Sequence, residues 1–180
     1  MTRKDFPKKY YRRIIVTPLG NMVALADEDQ LYLLEFVHRR NSENNIKRLL
    51  KKSNAEIVVG VTYPISLIEH ELELYFNNRL TQFSVPFNIT GTPFQVLVWE
   101  KLQTIASGTT CSYSQVASAI CKPRAFRAVA QAIGANQFAV LIPCHRVINA
   151  SGALGGYSSG LERKKWLIEH EAKKSYNAGF

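Results

Sequence analysis

Cysteine is scarce: the 180-residue chain has three, Cys111, Cys121 and Cys144, and no C-x-x-C pair. An odd, scattered set cannot build a disulfide scaffold, and it points to a reducing compartment. Long apolar runs are missing as well, and none approaches the ~18 residues that a membrane span needs. Met1 to Arg13 carries charge but no apolar stretch follows it, so it does not read as a secretory leader. Acidic residues are few, 14 against 23 Lys and Arg, which leaves a net charge of +9. Hydrophobic residues make up 46% and charged residues 21%, which excludes wholesale disorder. A chain this long makes one domain or two small ones and buries a core without staples. What is left is a basic cytosolic protein whose charge suits a polyanionic partner.

The charge is uneven. Residues 1–90 hold 13 Lys and Arg against 10 Asp and Glu, whereas residues 91–180 hold 10 against 4. The second half therefore has the stronger basic excess, read either as contact with an anionic surface or as solvated lysines.

The first half reads as strand-rich. Ile14 to Val16 leads into the turn signal Thr17-Pro18-Leu19-Gly20, and the runs Met22–Leu25 and Leu31–Phe36 flank a polar hairpin connection, Asp27–Gln30. Ile46, Leu49 and Leu50 have helical spacing in a basic stretch. Ile65, Ile68, Leu72 and Phe76 predict a helix over 64–77. Phe83, Val85 and Phe87 alternate as a further strand would. His38 and His70 are isolated, and nothing in this half looks catalytic.

A boundary falls at Asn88–Pro93. Thr92 can cap a helix with Pro93 at its first position, and Gly108 closes that helix. Ser112–Ile120 reads as a second helix and Arg124–Ile133 as a third, interrupted by Lys122-Pro123 and ended by Gly134. Two short helices around a tight turn fit a helix-turn-helix, and equally an αα-hairpin that binds nothing. The third helix carries Arg124 and Arg127 in its first turn and is otherwise rich in alanine. Small residues let a helix approach a groove or pack closely on another helix.

Phe138–Ile142 is a continuous apolar run of strand length, and Pro143 stops it. Cys144 then stands at its mouth, beside His145 and Arg146. Positive neighbours raise the thiolate fraction of a cysteine. In an extended chain adjacent side chains point to opposite faces, so His145 would reach the Cys144 sulfur only through a turn or a bridging water. A structural zinc site wants about four ligands at short paired spacings, and the three cysteines are too scattered for one. A loop with Gly152, Gly155, Gly156 and Gly160 follows, and Ser159 with Glu162 opens a last helix that presents Lys164 and Lys165 on a basic face. That helix is expected to end near Glu171, with a frayed tail beyond.

The string Ile142-Pro143-Cys144-His145-Arg146-Val147-Ile148 resembles the active-site signature of the O6-alkylguanine-DNA alkyltransferases, the methylated-DNA–protein-cysteine methyltransferase family. Gly91-Thr92-Pro93-Phe94-Gln95, Val98-Trp99, Ser112-Tyr113, Pro123-Arg124-Ala125, Arg127-Ala128-Val129, Asn136, Gly155-Gly156-Tyr157 and Lys165-Trp166-Leu167 through Glu171 follow in the family's order. The resemblance is strong over residues 91–171 and loose before them. It implies an α+β chain. A strand-rich N-terminal α/β domain over residues 1–90 would be ribonuclease H-like, and a mainly helical domain over 91–180 would carry the helix-turn-helix and the alkyl acceptor.

The resemblance also implies a chemistry. Such proteins bind duplex DNA, flip the alkylated guanine out of the stack and take its alkyl group in one displacement, once per molecule. Cys144 would be the acceptor and His145 a base acting through water. Glu171 would orient the imidazole, and Asn136 would brace the loop that holds the nucleophile. Arg127 would fill the gap left by the base. Tyr113 would assist flipping, and Arg124, Ala125 and Ala128 would lie against the DNA. Tyr157 and Ser158 would line the pocket, and the carbonyls of Cys144 and Val147 would accept from the guanine amino group. No cofactor and no metal are implied. The partner is double-stranded DNA carrying O6-alkylguanine, with O4-alkylthymine left open. The protein would be a monomer of the cytoplasm, or of the nucleus in a eukaryote, with no membrane contact.

Two positions depart from the family's pattern. Phe126 stands where a small residue is usual: facing DNA it would hold the helix off a groove, and facing inward it would fill the core. Cys121 occupies a turn position where glycine is common. Two rival readings stand beside this one: a non-catalytic DNA-damage-binding or regulatory helix-turn-helix protein, and a Cys-His hydrolase with an oxyanion hole.

Overall fold

The computed structural model describes residues 8–37 and 42–177; His38 lies outside them. Strands β1 (Lys8–Ile15), β2 (Met22–Ala26), β3 (Leu31–Phe36) and β4 (Ala55–Val59) form one sheet in the order β3-β2-β1-β4. The β1–β2 and β2–β3 pairs are antiparallel, and β4 runs parallel to β1 after a crossover through helix α1 (Ser42–Ser53). The two hairpin turns form where the polar signals stand. Gly20 takes φ 105° and its N–H donates to the Thr17 carbonyl, while Asp27 Oδ1 accepts from the N–H groups of Asp29 and Gln30.

Strands β2 and β3 are buried along their whole length, because both faces of the sheet are covered. On one face Tyr10, Val23, Leu25, Tyr32 and Leu33 pack with Ile46, Leu49 and Leu50 of α1. On the other, Met22, Ala24, Leu34 and Phe36 join Ile65, Ile68 and Leu72 of helix α2 (Tyr63–Phe76) and residues of the second half. Leu25 faces Leu33 but Ala26 faces Leu31, so Tyr32 is an inserted bulge residue; that is why Tyr32 and Leu33 share a face despite the two-residue period.

Residues 83–87 do not form the expected strand. Buried Glu71 takes the N–H groups of Ser84 and Val85 and the Ser84 hydroxyl, and Pro86 has no N–H. Only a bridge between Leu31 and Phe87 remains. Strand β4, in turn, gave no clear sequence signal, since none of its five residues is fully buried and no two-residue alternation is imposed on it.

The second half opens with α3 (Pro93–Gln103), capped by a reciprocal Thr92–Gln95 box. It ends at Thr104, earlier than Gly108, which instead sits in a turn at φ 78°. Strand β5 (Cys111–Ser112) leads into α4 (Tyr113–Ala119), with a second such box from Ser112 and Gln115. A 3₁₀ turn, Pro123–Ala125, precedes α5 (Phe126–Gly134). Cys121 takes φ 57°, its N–H donating to the Ser118 carbonyl and that of Lys122 to the Ala117 carbonyl. This is the left-handed helix stop that a glycine adopts without strain.

Phe138–Ile142 is not a strand either. It is a buried turn: Ile142 N–H donates to the Phe138 carbonyl, Val140 stands at φ 70°, and a single bridge ties Phe138 to Leu34. Its apolar continuity reflects burial on all sides. A second 3₁₀ turn, Cys144–Arg146, leads into β6 (Val147–Ile148), which runs parallel to β5. The last helix, α6 (Leu161–Asn177), runs on past Glu171. One apolar cluster spans residues from both halves, from Ile15 to Leu167.

Candidate active site

Cys144 is 6% exposed and opens onto a cavity of about 380 Å³, whose wall also includes Tyr113, Ala130, Ile133, Gly134, Gly156, Tyr157 and Ser158. Asn136 braces the sulfur. Its side-chain N–H groups lie 3.1 Å from Cys144 Sγ, 3.0 Å from the Ile142 carbonyl and 3.2 Å from the Phe138 carbonyl, and its Oδ1 accepts from Phe138 N–H. One amide thus closes the turn that carries the cysteine and presents a donor to its sulfur. The same turn holds Val140 in a backbone conformation that β-branched residues avoid, which fits a stretch whose shape the surroundings dictate.

The chain is turned, not extended, at Cys144–His145, so the alternation expected there does not apply. His145 is fully buried, and its Nε2 lies 3.0 Å from Glu171 Oε1. Glu171 also accepts from the Tyr75 hydroxyl, from Arg146 Nε and Nη2, and from Gly108 N–H. Burial alone would raise the Glu171 carboxyl, but hydrogen bonds from His145 and Arg146 and the charge of Arg146 outweigh it and hold it far below the usual carboxylate range. An ionised carboxylate only accepts, so His145 Nε2 carries the proton. Burial pushes the imidazole below its ordinary value against the pull of Glu171. The ring is therefore neutral near pH 7, with a basic Nδ1 that makes no hydrogen bond to any described protein group.

Three contributors escape a linear reading. Arg146, expected to act on the thiol beside it, is bonded to Glu171 and to the Ile105 carbonyl instead. Tyr75 brings the first half into the site, from 96 positions away in sequence. Lys164 is not on the exposed face of α6 but fully buried, donating to the carbonyls of Val147 (2.6 Å), Leu154 and Gly156. Burial pulls its pKa down to about 8 against the charge of Cys144. Lys164 thereby ties the segment after the cysteine to the glycine loop. Only the Cys144-adjacent Arg146 carried a signal; the other two have ordinary helical contexts.

The remaining expected residues divide between wall and surface. Tyr113 is half-buried at the cavity, with its hydroxyl 3.5 Å from the Gly156 carbonyl. Gly155, at φ 67°, leaves it room: a Cβ there would stand 3.0 Å from that hydroxyl. Val147 is fully buried and its side chain is not part of the cavity wall; its carbonyl already receives Lys164. Arg124, Arg127 and Ala128 are exposed and Ala125 is partly so. Phe126 is 45% exposed, so it faces outward and does not fill the core. Among the described residues, no three His, Cys, Asp or Glu side chains gather as metal ligands would.

A buried cysteine beside a cavity, braced by an amide and backed by a His–Glu–Arg cluster, invites comparison with known proteins. Residues 93–173 match the family model "6-O-methylguanine DNA methyltransferase, DNA binding domain". The methylated-DNA–protein-cysteine methyltransferase of Salmonella typhimurium is 34% identical over 158 residues, which cover 87% of this chain and 92% of that protein. This chain belongs to the methylated-DNA–protein-cysteine methyltransferase family. The crystal structure of Mycobacterium tuberculosis OGT in complex with DNA superposes with a TM-score of 0.78 at 34% identity, covering 92% of this chain and 94% of that one. The bifunctional transcriptional activator and DNA repair enzyme Ada of Escherichia coli is 50% identical over 97 residues, but the chain spans only 27% of Ada's length. The likeness to Ada is thus confined to part of each chain. The α+β architecture is that of the methyltransferase relatives.

Proposed function

We propose that Cys144 is the residue to which this methyltransferase moves an alkyl group from O6 of guanine in duplex DNA. The protein is a DNA alkyltransferase of direct-reversal repair. The observation that carries the choice of acceptor is the hydrogen bond of Asn136 to Cys144 Sγ at the floor of the cavity. An N–H donor favours a negatively charged sulfur, and buried Lys164 adds positive charge nearby.

In this reading His145 Nδ1 takes the thiol proton through a water, while Glu171 and Arg146 hold the ring in the required tautomer. The thiolate attacks the alkyl carbon, the S–C bond forms as the C–O6 bond breaks, and the electron pair leaves with guanine, which is then protonated. The thioether has no route back to thiol, so each chain reacts once. The base is held between Tyr113, Tyr157 and Ser158, with the carbonyls of Cys144 and Val147 facing its amino group. Because Val147 O already accepts from Lys164, its second lone pair would serve.

The α4–turn–α5 pair is the DNA-docking helix-turn-helix, with Arg127 entering the duplex and Arg124, Ala125 and Ala128 against it. Support comes from the exposed face of α5, where Arg127 stands beside Ala128, Ala130 and Gly134. The sheet order, with β4 parallel to β1, supports a ribonuclease H-like first half. We keep the domain division at residues 90 and 91, a monomeric state, and action in the cytoplasm or a eukaryotic nucleus as parts of the same proposal.

Stoichiometry tests this reading against a hydrolase. With excess O6-methylguanine duplex, one equivalent of guanine is restored per chain and the reaction stops. Continued turnover would support the hydrolase, and binding without transfer would support the non-catalytic protein.

A further inference from the structure

Helix α5 buries Val129, Ala132 and Ile133. Its other side is low: Ala130 and Gly134 are exposed, as is Ala128. Three longer side chains rise above it: Arg127, Gln131 one turn further along, and Phe126. Phe126 is the sole aromatic among the large hydrophobics exposed in the described second half, and it belongs to neither apolar cluster. Its ring is not idle, for the Arg127 guanidinium carbon lies 5.7 Å from the ring centroid.

Helical geometry sets where the ring stands. Phe126, Ala130 and Ile133 follow the i, i+4, i+7 spacing and share one edge of α5. Ala130 and Ile133 line the Cys144 cavity. Phe126 therefore lies on the cavity-side edge, about one turn beyond its rim, since four residues rise ~6 Å. Side chains in a helix lean toward its N-terminus, which carries the ring away from the cavity and toward whatever docks on the helix start. The ring is thus poorly placed to hold the extruded base and well placed to meet the DNA beside it.

We propose that Phe126 is a second DNA wedge: its ring enters the groove next to Arg127 and stacks on the base step flanking the extruded nucleotide. This rests on the reading of α5 as the DNA-docking helix. An apolar ring finds no favourable partner at a phosphate. Pressed into a groove it gains by covering base faces, and apolar wedges of this kind part a step and bend the duplex. Arg127 fills the vacated position, while Phe126 keeps the neighbouring step open and dry around that charge.

The test compares wild type, Phe126→Ala and Phe126→Trp on the same O6-methylguanine sequence, as duplex and as single strand. 2-Aminopurine beside the lesion reports unstacking of the flanking step. Binding of wild type is expected to brighten the duplex probe. Phe126→Ala is expected to lose most of that signal and to lower the duplex-to-single-strand transfer ratio about tenfold. Phe126→Trp is expected to restore both. An unchanged signal and ratio in Phe126→Ala overturn the wedge. So does an equal fall on duplex and single strand, which would mark a role in the cavity or the fold. If wild type alkylates Cys144 on neither substrate, the alkyl-transfer reading itself fails, and the wedge with it.

Discussion

The side-chain amide of Asn136 stands 3.1 Å from Cys144 Sγ while the same group holds the carbonyls of Phe138 and Ile142. Brace and activation are therefore one interaction. Asn136→Ala leaves the buried Phe138 N–H without its partner, while the Phe138 and Ile142 carbonyls keep the N–H groups of Ile142 and Cys144, so the cost is about 1–3 kcal/mol. Single-turnover transfer should slow about 10- to 100-fold as the sulfur loses both its donor and its position. Unfolding and rapid-quench transfer measured on the same protein check both effects together.

The buried His145–Glu171 pair gives stability a pH dependence of definite sign. His145 has a lowered pKa in the folded protein, so as pH falls below about 6.5 the unfolded chain takes up a proton first and stability drops. Glu171 is also lowered, so its contribution is present above about pH 4.5 and is lost as pH falls further toward its folded value. Urea unfolding from pH 8 to pH 2 should show the two losses in that order. His145→Gln should flatten the first and keep the second.

Much of this architecture was readable along the chain. Thr92-Pro93 and Ser112 placed two helix starts, because capping is local chemistry. The Cys144-His145-Arg146 string and Asn136 marked the site through family resemblance. What was not readable depended on partners distant in sequence. Residues 83–87 alternate like a strand, yet the N–H groups of Ser84 and Val85 go to Glu71. Phe138–Ile142 has the composition of a strand, but it is a turn enclosed on every side. Lys164 resembles its neighbour Lys165 until the three carbonyls around it are seen.

Cys121 pays a backbone cost at φ 57° to end α4. Cys121→Gly removes the left-handed strain of about 1–2 kcal/mol and adds unfolded-state freedom that cancels part of the gain. A net stabilisation of about 0.5 kcal/mol is expected, read as a rise in Tm.

Arg127 is exposed at the start of α5. Arg127→Ala should slow transfer from duplex DNA more than from a single strand, in which no base pair has to be opened. Equal slowing on both would remove Arg127 from base extrusion. Binding of the unmodified protein to duplex should weaken steeply between 50 and 200 mM salt, by roughly tenfold or more, as phosphate contacts release counterions. Filter binding or anisotropy at several salt concentrations measures the slope.

Mass spectrometry of the peptide containing Cys144, after exposure to O6-methylguanine duplex, tests the central claim most directly. The account predicts one added methyl on Cys144, none on Cys111 or Cys121, and no added mass in Cys144→Ala although that variant still binds the DNA. A methyl on either other cysteine, or restored guanine with Cys144 unmodified, would contradict it.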